Sequence, residues 1–316
     1  MKKIHHPHDK LFRETFGDLA VTKDFLSHYL PTELSHAVNM DIMSLEKESF
    51  IKNDLREVQS DLLFRTEISG QSGYIYFLFE HKSFIAEDIA FQLLGYMLEI
   101  WKREREKLRR NNISFIIPLV LYHGEKEWHD PKKISGWILN YETFTEMWKQ
   151  FVPHFEFMVY DFSLESDAEI VGDAKLQAYL QLIKTIREPN MNELIRNIAH
   201  IWHMLELDAA DYFKTLLIYI LNERKNISLE GLVESLDAEG REVVMSTAEQ
   251  LRMEGEAKGI QKGIRKGREE GEAKGIQKAT QDTARRLLTL GMEIEKIALA
   301  TALPIEEVER IANETK

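Results

Sequence analysis

Asp61, Glu80 and Lys82 are the residues whose types and spacing suit a definite chemistry, the hydrolysis of a phosphodiester. Two carboxylates can hold a hard divalent cation such as Mg²⁺, which keeps several waters and completes its shell with phosphate oxygens. The cation polarises the phosphodiester and supplies a hydroxide-like nucleophile near neutral pH. A neighbouring lysine orients the attacking water or offsets developing charge. In a chain with 30% charged residues, the competing reading is two acids flanking a sheet and one lysine neutralising them. The position of Glu80 favours the chemical reading. It follows the apolar run Tyr74 to Phe79, and a carboxylate at the end of a buried strand needs a partner.

The elements that must position these groups are legible around them. Residues 62–68 and 74–79 are rich in aliphatic and aromatic side chains, and Ser69-Gly70-Gln71-Ser72-Gly73 between them is hairpin material. A turn centred between Gly70 and Gln71 places Asp61 directly opposite Glu80, with Lys82 on the same face by alternation. Residues 86–110 carry a helical stripe of Ile89, Leu93, Tyr96, Met97, Ile100 and Trp101. Gln92 and Tyr96 share a face one turn apart. Gln92 is placed to hydrogen-bond water or phosphate; Tyr96 can do the same, although spacing alone assigns it to the core. Residues 44–51 read as a first strand, 113–122 as a buried strand and 155–162 as a further one. The sum is an α/β fold, a mixed sheet with helices packed on it.

The order Asp61, then Glu80-His81-Lys82, then Gln92-Leu93-Leu94-Gly95-Tyr96 resembles the D…(D/E)xK…QxxxY pattern of PD-(D/E)XK nucleases. Flanking text is more specific: His8-Asp9-Lys10-Leu11-Phe12-Arg13-Glu14, Ser60-Asp61-Leu62-Leu63-Phe64, Phe79-Glu80-His81-Lys82-Ser83 and Pro118-Leu119-Val120-Leu121-Tyr122-His123-Gly124. Together they resemble the Rpn family of recombination-promoting nucleases. The resemblance implies a restriction-endonuclease-like αβββαβ core followed by a helical C-terminal region. It also implies a DNA endonuclease linked to recombination, dependent on Mg²⁺ or another divalent cation. On this reading Asp61 and Glu80 bind metal, Lys82 positions the water, and Gln92 with Tyr96 supports the site from the helix. Many family members carry Gln where this chain has Lys82, and the lysine brings it nearer the general nuclease pattern. Ser60 replaces the proline of the superfamily label. The competing class is a binding module for nucleic acid or protein, its nuclease site vestigial, acting through the helical tail.

Composition bounds these readings. With 316 residues and 44% hydrophobic content the chain can bury a catalytic core plus smaller modules. It has no cysteine, which excludes disulfides and thiolate chemistry and fits a reducing compartment. No apolar run approaches the ~18–20 residues of a membrane span, so a cytoplasmic protein is expected. The net charge of −12 disfavours indiscriminate nucleic-acid binding. Lys102, Arg103, Arg105, Lys107, Arg109 and Arg110 reverse that locally, either as a DNA contact or as a solvated helix end.

The expected organisation is a nuclease-like core over residues 1–165, a helical extension over 166–250, a glycine-repeat segment over 251–280 and a small helical tail over 281–316. Segments 9–30, 172–187, 191–206 and 209–224 read as helical, with Asp9 as an N-cap. Trp128, Trp137, Phe144, Trp148 and Phe151 read as packing residues. His123 is expected in a turn near the rim of the site. Gly255, Gly259, Gly263, Gly267, Gly271 and Gly275 recur every four residues within a period of 16. Interleaved Glu and Lys make this a long polar helix, either a homodimerisation stalk or a charged linker. The acidic run Ile305-Glu306-Glu307-Val308-Glu309 suits a protein contact better than DNA reading.

Overall fold

The computed structural model describes residues 7–46, 61–80, 89–108, 112–205 and 210–314, with 79, 80, 107 and 108 described by backbone alone. Two short helices lead, α1 (Pro7–Phe16) and α2 (Leu19–Tyr29), each with one apolar face turned inward. Asp18, not Asp9, is an N-cap: its carboxylate accepts from the Ala20 N–H and opens α2. Asp9 lies inside the first turn of α1 and is buried. A six-residue helix α3 (Thr32–Ala37) follows, and then the sheet begins with β1 (Ser44–Leu45). Most of the expected first strand, beyond position 46, falls outside the described residues.

The hairpin forms as β2 (Asp61–Ile68) and β3 (Gln71–Glu80). Its turn is shorter than expected. Ile68 pairs with Gln71, leaving only Ser69 and Gly70 in the loop, with φ of 51° and 76°. Positive φ at both central residues gives the backbone twist that matches the two strands. Gly70 meets this requirement without steric cost, and Ser69 tolerates it.

From β3 the chain crosses over through α4 (Ile89–Leu108) to β4 (Phe115–Tyr122), and later adds β5 (Met158–Asp161). The sheet order is β1-β2-β3-β4-β5. The pairs β1–β2 and β2–β3 are antiparallel, while β3–β4 and β4–β5 are parallel. The expectation of a mixed sheet with packed helices is met.

Strand alternation sorts side chains to two cores. On one face Tyr74, Tyr76 and Leu78 of β3, with Ile116, Val120 and Tyr122 of β4, pack against Ile89, Leu93, Tyr96, Met97 and Ile100 of α4. On the other face Leu62, Phe64, Ile75, Phe77, Leu119 and Leu121 meet Phe12 and Phe16 of α1 and Phe25 of α2. Burying each such side chain contributes roughly 1.5–3 kcal/mol.

Four further helices follow: α6 (Ala174–Thr185), α7 (Met191–Met204), α8 (Ala210–Glu223) and α9 (Leu229–Glu234). They follow a four-residue helix α5 (Glu146–Lys149). Leu176, Tyr179, Leu216 and Tyr219 extend the same core that holds α1 and α2. Trp128 and Trp137 pack against the α4-side core. Phe144, Trp148 and Phe151 do not. They are 44%, 63% and 75% exposed, because the short turns that carry them have no face turned inward.

Glu104 lies among the basic residues at the end of α4, yet it is buried. Its carboxylate accepts from the Ser114 N–H at 3.0 Å and the Ser114 hydroxyl at 2.5 Å, fastening α4 to the residue that precedes β4. Lys102 pairs instead with Glu99 at 2.8 Å. Arg109 and Arg110 lie outside the described residues.

Compact units cover Lys3–Glu249 and Gln250–Lys316. The 52-residue helix α10 (Ala238–Thr289) begins in the first and runs through the second, where α11 (Ile294–Thr301) and α12 (Ile305–Glu314) follow. Gly291 and Ala302, at φ of 78° and 55°, mark the breaks. Ala284, Ile297, Val308 and Ile311 form the small core of the tail. No helix among the described residues is long and apolar enough to cross a membrane.

Candidate active site

Asp61 opens β2, and the antiparallel register sets it opposite Leu78, not opposite Glu80. The two-residue turn is the cause, since it moves the pairing by two positions from the expected one. A shift of two preserves the alternation of the strand, so position 80 lies one pleat beyond Asp61's partner on the register. Backbone pairing on the other side of β3 joins Glu80 to Tyr122 at the end of β4. The two acidic positions therefore stand diagonally on neighbouring strands at one end of the sheet. Lys82, with His81 and Ser83, lies outside the described residues.

The Asp61 carboxylate is buried, at 6% exposure. Its Oδ2 accepts a hydrogen bond of 2.5 Å from the Tyr76 hydroxyl. Tyr76 pairs with Leu63, so it meets Asp61 along the diagonal that long side chains span across a hairpin. Burial, and then the adjacent Asp61 charge, push the Tyr76 phenol well above its ordinary pKa. It thus stays protonated and remains the donor.

Tyr96 reaches this region from α4. The Tyr96 ring stands 5.4 Å from that of Tyr76, tilted by 36°, and is buried against it. Gln92, one turn earlier on the helix, is half-buried. The structure thus brings together Asp61, Tyr76 and Tyr96. Sequence reasoning missed Tyr76, which looked like one more aromatic in an apolar strand. The signal that could have found it was its parity: residues 74, 76 and 78 alternate onto the face of Asp61.

A divalent cation suits the donor chemistry of Asp61: a carboxylate oxygen is the hard ligand it prefers, and this buried carboxylate is already oriented by a donor. Among the described residues no three His, Asp or Glu side chains form a ready-made metal cage.

A second polar cluster lies where β4 ends. His123 is completely buried, not at a rim, and its ring centroid is 5.5 Å from that of His8. His8 Nδ1 is 2.7 Å from the Tyr219 hydroxyl, and its Nε2 is 3.2 Å from the Glu223 carboxylate. These contacts tie α1 to α8. Gly124, next along, has a close-approach role, because a β-carbon there would sit 1.9 Å from the Tyr122 hydroxyl.

Residues 6–211 match the family model described as "Putative transposase, YhgA-like". The chain is 30% identical over 252 residues to the recombination-promoting nuclease RpnD of Escherichia coli O157:H7, covering 78% of this chain and 94% of that one. It is 27% identical to the recombination-promoting nuclease RpnC of Escherichia coli K12 over 97% of both chains. It is also 28% identical to the inactive recombination-promoting nuclease-like protein RpnE of the same strain, over 82% of this chain and 85% of that one. No solved structure matches the chain.

Proposed function

Because this chain belongs to the YhgA-like transposase family, we propose that it is a Mg²⁺-dependent DNA endonuclease that hydrolyses phosphodiester bonds in support of recombination. The observation that carries the reading is the buried Asp61 carboxylate, oriented by a hydroxyl at the sheet end where Glu80 also stands. A PD-(D/E)XK-like core agrees with the strand order, in which an antiparallel hairpin leads through a helix to parallel strands.

In this reading Asp61 and Glu80 hold the divalent cation, which supplies Lewis acidity toward the phosphate and lowers the pKa of a water. Lys82 orients the attacking water and offsets the negative charge that grows on the phosphate. Gln92 donates to water or phosphate from α4, and Tyr96 supports the site from behind. The test is incubation with duplex and single-stranded DNA in Mg²⁺. Cleavage that EDTA stops is the expected result, and cleavage that persists in EDTA overturns metal dependence.

One observation favours a second reading, a binding module without cleavage: the relative named inactive is 28% identical to this chain. Lack of metal-dependent cleavage together with retained DNA binding would select it.

Self-association is the role we assign to the glycine-repeat helix. A β-carbon added at Gly259, Gly263, Gly267, Gly271 or Gly275 would meet nothing within 4 Å, so packing within the chain does not require glycine there. Each glycine costs the helix roughly 1 kcal/mol relative to alanine. Exposed pairs such as Arg268–Glu272 at 2.7 Å return only about 0.3–0.5 kcal/mol each. Close approach of a second copy would offset the difference. Light scattering on the full-length chain is expected to give the mass of a dimer; a monomer mass at micromolar concentration removes the assignment.

A further inference from the structure

We propose that Tyr76 is a positioning residue for Asp61, whose hydroxyl fixes the carboxylate and thereby sets the affinity of the Asp61–Glu80 pair for a divalent cation. The inference rests on the metal-dependent reading of the site. It adds a residue that the D…(D/E)xK…QxxxY pattern does not contain.

Geometry carries the argument. Tyr76 is 2% exposed and lies in the central part of β3, between strands on both sides. Its ring is confined by α4 through Tyr96, so its hydroxyl has little freedom to follow a carboxylate that moves. The hydroxyl donates to Asp61 Oδ2 at 2.5 Å, a short hydrogen bond. Toward a carboxylate oxygen the phenol is the donor, so the bond has one direction. One carboxylate oxygen is thereby held against the sheet, and the plane of the group is set before any cation arrives. Partners of this kind typically govern metal affinity by a factor of 10–100.

The same arrangement gives a new role to Tyr96. It packs against the Tyr76 ring and so helps to hold that ring in place.

Tyr76→Phe removes the hydroxyl and leaves the ring volume almost unchanged, so the fold should survive. Tyr74→Phe is the matched control. It deletes a tyrosine hydroxyl on the same strand and face, from a buried side chain whose hydroxyl interacts with Glu104 and whose pKa is pushed up to about 12 by burial and then by Glu104.

The experiment is a thermal-melt titration of the full-length protein with MnCl₂ and with MgCl₂, since a cation that binds only the native state raises the melting temperature as its concentration passes the Kd. For Tyr76→Phe the half-maximal concentration should rise about 10- to 100-fold, and plasmid cleavage should recover within a few-fold at saturating metal. For Tyr74→Phe the half-maximal concentration should match wild type. An unchanged value in Tyr76→Phe, beside a wild type that does respond, overturns the inference alone. A wild type whose melting ignores both cations overturns the metal reading and this inference with it.

Discussion

Asp61→Asn is expected to lower the single-turnover rate of Mg²⁺-dependent cleavage by on the order of 10²–10³ or more, about 3–4 kcal/mol of transition-state stabilisation. The substitution keeps the size of the side chain and keeps an oxygen that can accept from Tyr76. It removes the negative charge on which cation binding depends. The fold should therefore persist while activity is lost, and a thermal melt in EDTA should place the variant within a few degrees of wild type. The alanine variant is less informative, because it would leave the Tyr76 hydroxyl buried without its acceptor, at a cost of roughly 1–3 kcal/mol. Cleavage by Asp61→Asn within about tenfold of wild type would remove Asp61 from the metal site.

Phe77→Ala is expected to lower the stability of the first unit by about 3–5 kcal/mol. Phe77 is fully buried in β3, and its ring centroid lies 5.9 Å from Phe12, 5.1 Å from Phe16 and 5.2 Å from Phe25. It joins the strand that carries Glu80 to both N-terminal helices. The aromatic cluster cannot close over the lost volume without moving an entire helix, so a cavity remains and its cost adds to the lost transfer free energy. Urea denaturation followed by circular dichroism should show a lower midpoint with an unchanged slope. A loss below about 1 kcal/mol would mean that the helices repack onto the sheet, contrary to the close-packed core described above.

Much of this architecture is legible in the chain. The hairpin strands, the apolar face of α4 and the buried run of β4 follow from periodicity and β-rich composition, which report burial directly. Boundaries of α6, α7 and α8 fall within a few residues of the expected breaks, where Asn190 caps α7 by accepting from Asn192 and Glu193. Register was the harder quantity. Ser69-Gly70 lacks the Asn or Asp that advertises a two-residue turn, and five polar or small residues in a row offered several centres for it. That ambiguity displaced the predicted partner of Asp61 by two positions while leaving the face correct.

Side chains that act against their class were the least legible. Glu104 sits in a run of charges and reads as solvated, yet it serves as an internal acceptor for Ser114. Tyr76 reads as packing, and only pairing with β2 shows that its hydroxyl reaches Asp61. Trp148 and Phe151 read as packing, but the single-turn helix α5 and the residues after it leave both exposed. For Glu104 and Tyr76 the deciding information is a contact with a residue on another element, which local pattern does not contain.

The most direct measurement is relaxation of supercoiled plasmid by the purified full-length protein in Mg²⁺, repeated in EDTA and with Lys82→Ala. The account predicts nicking by the wild type that EDTA abolishes and that Lys82→Ala reduces by on the order of 10² or more. Nicking that is equal in the wild type and Lys82→Ala, or that persists in EDTA, would contradict it.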